Sequence, residues 1–308
     1  MTGALAVVAN RLGGLARSDV PIGPLTTYRV GGSAALLVDA RSVDDLLLVA
    51  RARRGTDVPV LVIGKGSNLL VADDGFPGVA VVLGEGLDGI TFEGSTVRAG
   101  GAASLPVVAR RTAAESLSGF EWAVGVPGSI GGAVRMNAGG HGSDMAAVLR
   151  SIRVVDLDDG EDVRVPASAL DLAYRSSNLR STQVVVEAEL RLAPGDREAS
   201  EGMISEIVRW RRANQPGGQN AGSVFTNPTG DHAGRLIEAA GCKGMRIGTA
   251  AVSDKHANFI QADDGGRAAD VLAVMDEVRR RVHQECGVVL VPETHLLGLA
   301  VAPIEGGS

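Results

Sequence analysis

The chain of 308 residues is poor in aromatic side chains, which make up 3% of it, and its net charge is −6. Few rings mean few stacking platforms for bases, and a negative balance repels phosphate backbones, so a general nucleic-acid surface is excluded. Cysteine occurs only at Cys242 and Cys286. Their spacing supports neither a disulfide framework nor a metal knuckle and fits a reducing cytoplasm. The histidines His141, His232, His256, His283 and His295 lack metal-ligand spacing, and no metal is expected. No apolar run approaches membrane-spanning length. The stretch from Ala4 to Ala9 has no basic segment before it and is broken by Asn10 and Arg11, so it is not expected to be a secretion signal. Lysine stands only at Lys65, Lys243 and Lys255, a bias toward arginine that carries no functional inference.

Hydrophobic residues are plentiful at 45%, and the mean hydropathy of +0.14 predicts a folded chain with room for one large or two ordinary domains. Glycine is abundant at 42 residues, without a collagen-like period, which points to turns and ligand-facing loops. Two glycine-rich segments dominate: Gly64-Lys65-Gly66-Ser67-Asn68-Leu69-Leu70 and Gly125-Val126-Pro127-Gly128-Ser129-Ile130-Gly131-Gly132-Ala133. The first follows the apolar run Val60 to Ile63, so its N–H groups would converge at a strand end, where anions bind. A lone Gly-x-Gly is more often a tight turn. The second segment, extended by Met136-Asn137-Ala138-Gly139-Gly140, shifts the reading toward two walls of one site for a phosphate-bearing cofactor.

Ala34 to Val38 reads as a strand, Val43 to Arg53 as an amphipathic helix, and Val60 to Ile63 and Val79 to Leu83 as further strands. Ile90 to Ala99 alternates around Gly94-Ser95 and predicts a hairpin. Ser104 to Ser116 predicts a helix capped by Ser104 with Pro106 in its first turn. Ile152 to Asp156, Asp162 to Val165 and Val184 to Leu192 predict a mainly antiparallel sheet, with Asp159-Gly160 turning the first pair. The class is therefore α+β rather than doubly wound. Pro194-Gly195-Asp196 interrupts the pattern, which places a boundary between domains at 22–195 and 196–308. Beyond it come helices at Glu198 to Ala213, His232 to Ala240 and Arg267 to Glu285, and strands near Asn258 to Ile260, Val288 to Val291 and Thr294 to Leu299.

Six motifs in order, the two glycine segments (the second with Asn137-Ala138-Gly139), Tyr174-Arg175-Ser176-Ser177, Ala221 to Pro228, Val252 to Ile260 and Pro292-Glu293, resemble those of the UDP-N-acetylenolpyruvoylglucosamine reductase (MurB) family. The resemblance runs from about Thr26 to Leu297. It implies an FAD-binding domain of the vanillyl-alcohol-oxidase (PCMH) type, followed by a smaller α/β substrate-binding domain whose final strands return to the flavin domain. The short interval from Arg175 to Ser223 resembles the family's second type, without an extra tyrosine-bearing loop. One departure is Thr226, where many members carry lysine, which removes a lysine contact to substrate from that position.

The same resemblance implies NADPH-dependent, FAD-mediated reduction of UDP-N-acetylglucosamine enolpyruvate in peptidoglycan precursor synthesis; the protein is expected to be a cytoplasmic monomer. FAD would lie against Gly64, Gly66, Ser67, Asn68, Leu69, Gly125, Val126, Pro127, Gly128, Ser129, Gly131, Gly132, Ala133 and Asn137. Arg175 would grip the substrate carboxylate, Glu293 would hold it as a neutral acid, and Ser223 would protonate the carbanion. Tyr174, Asn227 and His256 would line the substrate pocket, and Arg211, with its neighbour Arg212, would meet the diphosphate. Two rivals are another flavin oxidoreductase and a nucleotide-binding module without turnover.

Overall fold

In the computed structural model, which describes residues 3–304, the helix Val43–Arg53 forms with the ends its sequence predicts. A capping box sets its start: Asp45 N donates to Ser42 Oγ at 3.2 Å and Ser42 N donates to Asp45 Oδ2 at 3.0 Å. The apolar N-terminal stretch is the helix Gly3–Leu12, with Leu5, Val8 and Leu12 buried on one face. Its Arg11 donates to the carbonyls of Ala52 (3.0 Å) and Arg54 (2.9 Å), at the carbonyl end of the Val43–Arg53 helix.

The chain divides into two units. The first comprises the described residues up to Val20, with Ala35–Lys65 and Pro77–Arg211. Its main sheet is antiparallel throughout, in the order Asp162–Pro166, Leu149–Asp156, Gln183–Arg191, Thr96–Gly100, Ile90–Glu93. The predicted hairpin closes with Glu93 opposite Thr96. The helix Leu105–Ala114 begins after Ser104, whose side chain makes no capping bond, and it contributes to a core that includes Phe120, Trp122 and Ile130. A second sheet runs Ala16–Pro21, Ser33–Ala40, Phe76–Leu83, Val60–Ile63, its last pair parallel.

The second unit comprises Pro21–Ala34, Gly66–Phe76 and the described residues from Arg212 onward. Its core gathers Tyr28, Val30 and Leu70 with Leu236, Val252 and Met275. The three-stranded antiparallel sheet Arg246–Ile247, Ala250–Val252, Ile260–Ala262 packs with the helix Ala268–Cys286. The carboxylate of Asp73 accepts from Ala268 N (2.8 Å) and Ala269 N (3.1 Å), capping that helix from far along the chain. The last strand, His295–Leu297, lies parallel to Leu69–Val71.

These contacts move the boundary from 195/196 to 211/212. The helix Arg197–Asn214 stays with the first unit through Arg211, because Ile204 joins that core and the buried Ser200 hydroxyl donates to Glu121 Oε1 at 2.6 Å. Two strands also differ from expectation. The one near Asn258 starts later, at Ile260, and Val288 to Val291 forms none. There the Leu290 carbonyl accepts from the buried Arg279 Nε at 3.0 Å, and a side chain supplies what a ladder would.

Candidate active site

The strand Val60–Ile63 delivers the chain into Gly64, where a Cβ would stand 2.4 Å from Ser129 Oγ. The two glycine segments therefore touch at this point. Ser129 caps the short helix Ile130–Arg135, accepting from Gly132 N at 3.4 Å. Ile130 N and Gly131 N donate to the carbonyls of Ala103 and Gly101, both at 2.9 Å, and Ala133 N donates to Ser129 O at 2.9 Å. Val126 N and Gly128 N are likewise engaged with Ala123 O and Val126 O, and Pro127 has no N–H to give. Among the described residues, no protein acceptor takes the main-chain N–H of Lys65, Gly66, Ser67 or Asn68. Four successive open donors after a strand suit an anionic cofactor group.

Gly66 has a different reason to be glycine. Its φ is +60°, and a Cβ would meet Leu25 O at 2.2 Å and Thr26 Cα at 2.6 Å, so packing within the second unit already requires it. Leu69 is engaged in the parallel pair with His295. At Gly125, by contrast, a Cβ would meet only side chains: Ile207 Cγ2 at 3.3 Å, His141 Nε2 at 3.4 Å and Arg211 Cδ at 3.5 Å. Arg211 thus lies along the second glycine segment. Burial lowers its pKa, and burial together with the Arg211 charge lowers that of His141, which packs edge-on against Trp210. Arg212 is exposed.

Tyr174 and Arg175 form the tip of a tight turn closed by Ala173 N to Ser176 O and Ser176 N to Ala173 O, both 3.1 Å. Arg175 has φ +56°, a region that favours glycine or asparagine at this turn position. Its Nη2 donates to Gly139 O at 3.1 Å, and its guanidinium carbon lies 5.2 Å from the centre of the exposed Tyr174 ring. The turn is held from below. Asn137 Nδ2 donates to Ala173 O (3.1 Å) and Asp144 Oδ2 (3.3 Å), and Asn137 Oδ1 accepts from Ala146 N (2.9 Å). Both amide hydrogens of Asn137 are thus engaged inside the protein, and the residue is buried. Arg135 donates to the carbonyls of Leu179, Arg180 and Gln183 at 3.1, 2.7 and 2.8 Å, and Ser177 Oγ donates to Arg135 O at 2.7 Å.

Ser223 and Glu293 both lie in the second unit, each half-buried. The segment after Ser223 pairs with the one that carries Glu293: Glu293 N donates to Val224 O at 2.7 Å and Thr226 N to Val291 O at 3.0 Å. Asn68 Nδ2 donates to Glu293 O at 3.0 Å, and Asn68 O accepts from His295 N at 3.1 Å. Asn68 therefore joins the first glycine segment to the Glu293 backbone, a link its motif did not disclose. Asn227 Oδ1 accepts from Ala233 N at 3.0 Å, starting the helix Ala233–Ala239. His256 packs edge-on against Phe259, and its Nδ1 accepts from Asn258 N at 3.2 Å. Burial lowers its pKa, with a smaller lowering from the charge of Lys243. Among the described residues no group of acidic, histidine or cysteine side chains is placed to hold a metal, and no helix is long and apolar enough to cross a membrane.

Residues 214–297 match the family described as UDP-N-acetylenolpyruvoylglucosamine reductase, C-terminal domain, and residues 34–166 match the FAD binding domain. A UDP-N-acetylenolpyruvoylglucosamine reductase of Heliobacterium modesticaldum is 43% identical over 290 residues, covering 93% of this chain and 92% of its own. The reductase of the same name from Bacillus subtilis is 39% identical over 284 residues, covering 91% and 93%. The crystal structure of UDP-N-acetylenolpyruvylglucosamine reductase (MurB) from Thermus caldophilus matches with a TM-score of 0.80 and 34% identity, over 92% of this chain and 99% of that one. The expected α+β fold with an FAD-binding domain is borne out.

Proposed function

The chain belongs to the UDP-N-acetylenolpyruvoylglucosamine reductase family, and on that premise we propose that it reduces UDP-N-acetylglucosamine enolpyruvate to UDP-N-acetylmuramate with NADPH, as a cytoplasmic monomer. One observation carries the reading. Glu293 N bonds Val224 O at 2.7 Å, so the proposed acid and a proposed carboxylate partner stand on adjoining segments despite their distance in sequence.

FAD, when bound, supplies the hydride relay from NADPH to the terminal vinyl carbon of the substrate. The N–H groups of Lys65 to Asn68, left open by the protein, would donate to its diphosphate. Hydride arriving at the vinyl carbon leaves negative charge on the carbon that bears the carboxylate, and this charge spreads as an enolate-like dianion. The Arg175 guanidinium grips that carboxylate with fixed geometry, strengthening its hold as charge develops. Its guanidinium is presented from a left-handed backbone conformation that costs an arginine some strain. Glu293 adds a hydrogen bond to the same group. Ser223 delivers a proton to the carbanion carbon and completes the lactyl ether. A serine hydroxyl is a weak acid, so this role requires the site to stabilise its alkoxide or relay a proton to it.

The test is anaerobic. The purified protein is to be yellow, to bleach when NADPH is added, and to regain its flavin absorption when the enolpyruvyl nucleotide follows. Protein that bleaches but is not reoxidised by that substrate would overturn the substrate assignment. Protein that never carries flavin would favour a binding module without turnover.

A further inference from the structure

Asn258 is 4% exposed and serves the two residues that follow Ser223 with three hydrogen bonds. Its main-chain oxygen accepts from Val224 N at 2.9 Å, its Oδ1 accepts from Phe225 N at 3.0 Å, and its Nδ2 donates to Phe225 O at 2.9 Å. On the other side Val224 O accepts from Glu293 N at 2.7 Å, and Thr226 N donates to Val291 O at 3.0 Å. Every polar group of the Val224 and Phe225 backbone is then accounted for, and half of them depend on one carboxamide. Ahead of Ser223, Gly222 has φ +77° and its N–H is taken by Asn220 Oδ1 at 3.0 Å, so the chain turns sharply just before the serine. The strand Ile260–Ala262 begins only after Asn258, whose side chain makes the bonds to Phe225.

We propose that Asn258 is a positioning residue for Ser223: without touching substrate, its carboxamide locks the Val224–Phe225 peptides and thereby fixes where the serine hydroxyl sits. The inference rests on the reading of Ser223 as proton donor. Only a side chain with one donor and one acceptor meets an N–H and a C=O of the same residue. Aspartate, of equal size, would turn an acceptor toward Phe225 O. A misplacement of about 1 Å at a reacting group costs on the order of 100-fold in rate.

The experiment uses Asn258→Asp and Asn258→Ala in the flavin-loaded enzyme, with Tm, flavin content and both half-reactions measured by anaerobic stopped flow. Reduction of the flavin by NADPH should stay within about 3-fold of the parent enzyme. Reoxidation by the enolpyruvyl nucleotide should slow by about 10- to 100-fold, with little change in substrate KM and a larger solvent deuterium isotope effect, because proton delivery has become harder. Ser223→Ala serves as the reference. In that background Asn258→Asp should add less than about 3-fold, since no hydroxyl remains to be placed. Equal slowing of both half-reactions, or full additivity with Ser223→Ala, would overturn the positioning role and leave Asn258 a general stabiliser. Should Asn258→Ala not fold, the aspartate variant alone decides. If Ser223→Ala itself reoxidises normally, the failure belongs to the proton-donor reading instead.

Discussion

Arg175 offers a way to measure the backbone strain at the proposed site separately from its chemistry. Its φ of +56° lies where a side chain costs about 1–2 kcal/mol, which glycine escapes. Arg175→Ala and Arg175→Gly both delete the guanidinium, and with it the bond to Gly139 O at 3.1 Å and the contact with the Tyr174 ring at 5.2 Å. Those losses are common to the two variants and cancel in their difference. What remains is relief of strain in the glycine variant, offset by about 0.5–1 kcal/mol for the greater freedom of glycine in the unfolded chain. The glycine variant should therefore be the more stable by up to about 1.5 kcal/mol. Urea titrations of the flavin-free proteins, followed by far-ultraviolet circular dichroism, would show this as a higher midpoint at equal slope. Substrate-driven flavin reoxidation should fall by about 100- to 1,000-fold in both, because neither can stabilise the developing dianion. Alanine exceeding glycine in stability would refute the strain argument. Normal reoxidation in either variant would refute the role given to the guanidinium.

Gly66→Ala should destabilise the protein by about 2–5 kcal/mol, the sum of a left-handed penalty and a backbone collision, since its Cβ would meet Leu25 O at 2.2 Å. Gly125→Ala, whose nearest neighbour would be a side-chain carbon at 3.3 Å, should cost less than about 1 kcal/mol; equal losses in urea titrations would contradict this division of labour. Stability should also fall as the pH drops below about 6.5. His141 and His256 both have folded-state pKa values depressed by burial, so the unfolded chain takes up protons first and their contribution is whole only above that pH. Replacing both histidines with glutamine should flatten the Tm profile between about pH 7 and pH 5.5, and an unchanged slope would count against it.

Local signals were legible where the chain decides its own conformation. The helix Val43–Arg53 was legible in its amphipathic pattern, the hairpin in Gly94-Ser95, and the sheet strands in alternation, and all three formed. The partition into units was not legible, because it depends on contacts such as Asp73 with the helix at Ala268 and Ile204 with the first core. Pro194-Gly195-Asp196 does break the periodicity, yet a break in regular structure is not a break in packing. What the sequence did not show at Gly66 is the Leu25 backbone, which a Cβ there would meet at 2.2 Å.

Asparagine recurs behind each proposed catalytic residue, and there is a physical reason for it. Asn137 holds the Arg175 turn through Ala173 O, Asn68 holds Glu293 through its carbonyl, and Asn258 holds the segment after Ser223. A residue that must reach a substrate stands on irregular backbone, and irregular backbone leaves N–H and C=O groups that no ladder satisfies. A carboxamide carries a donor and an acceptor on a short stem, so it can meet such groups without a charge that would alter the electrostatics of an anionic substrate. The motif asparagines at 68 and 137 first suggest ligand contact. Their side chains also bind backbone beside Arg175 and Glu293, so their loss should show as well in the rates of the half-reactions that depend on those residues.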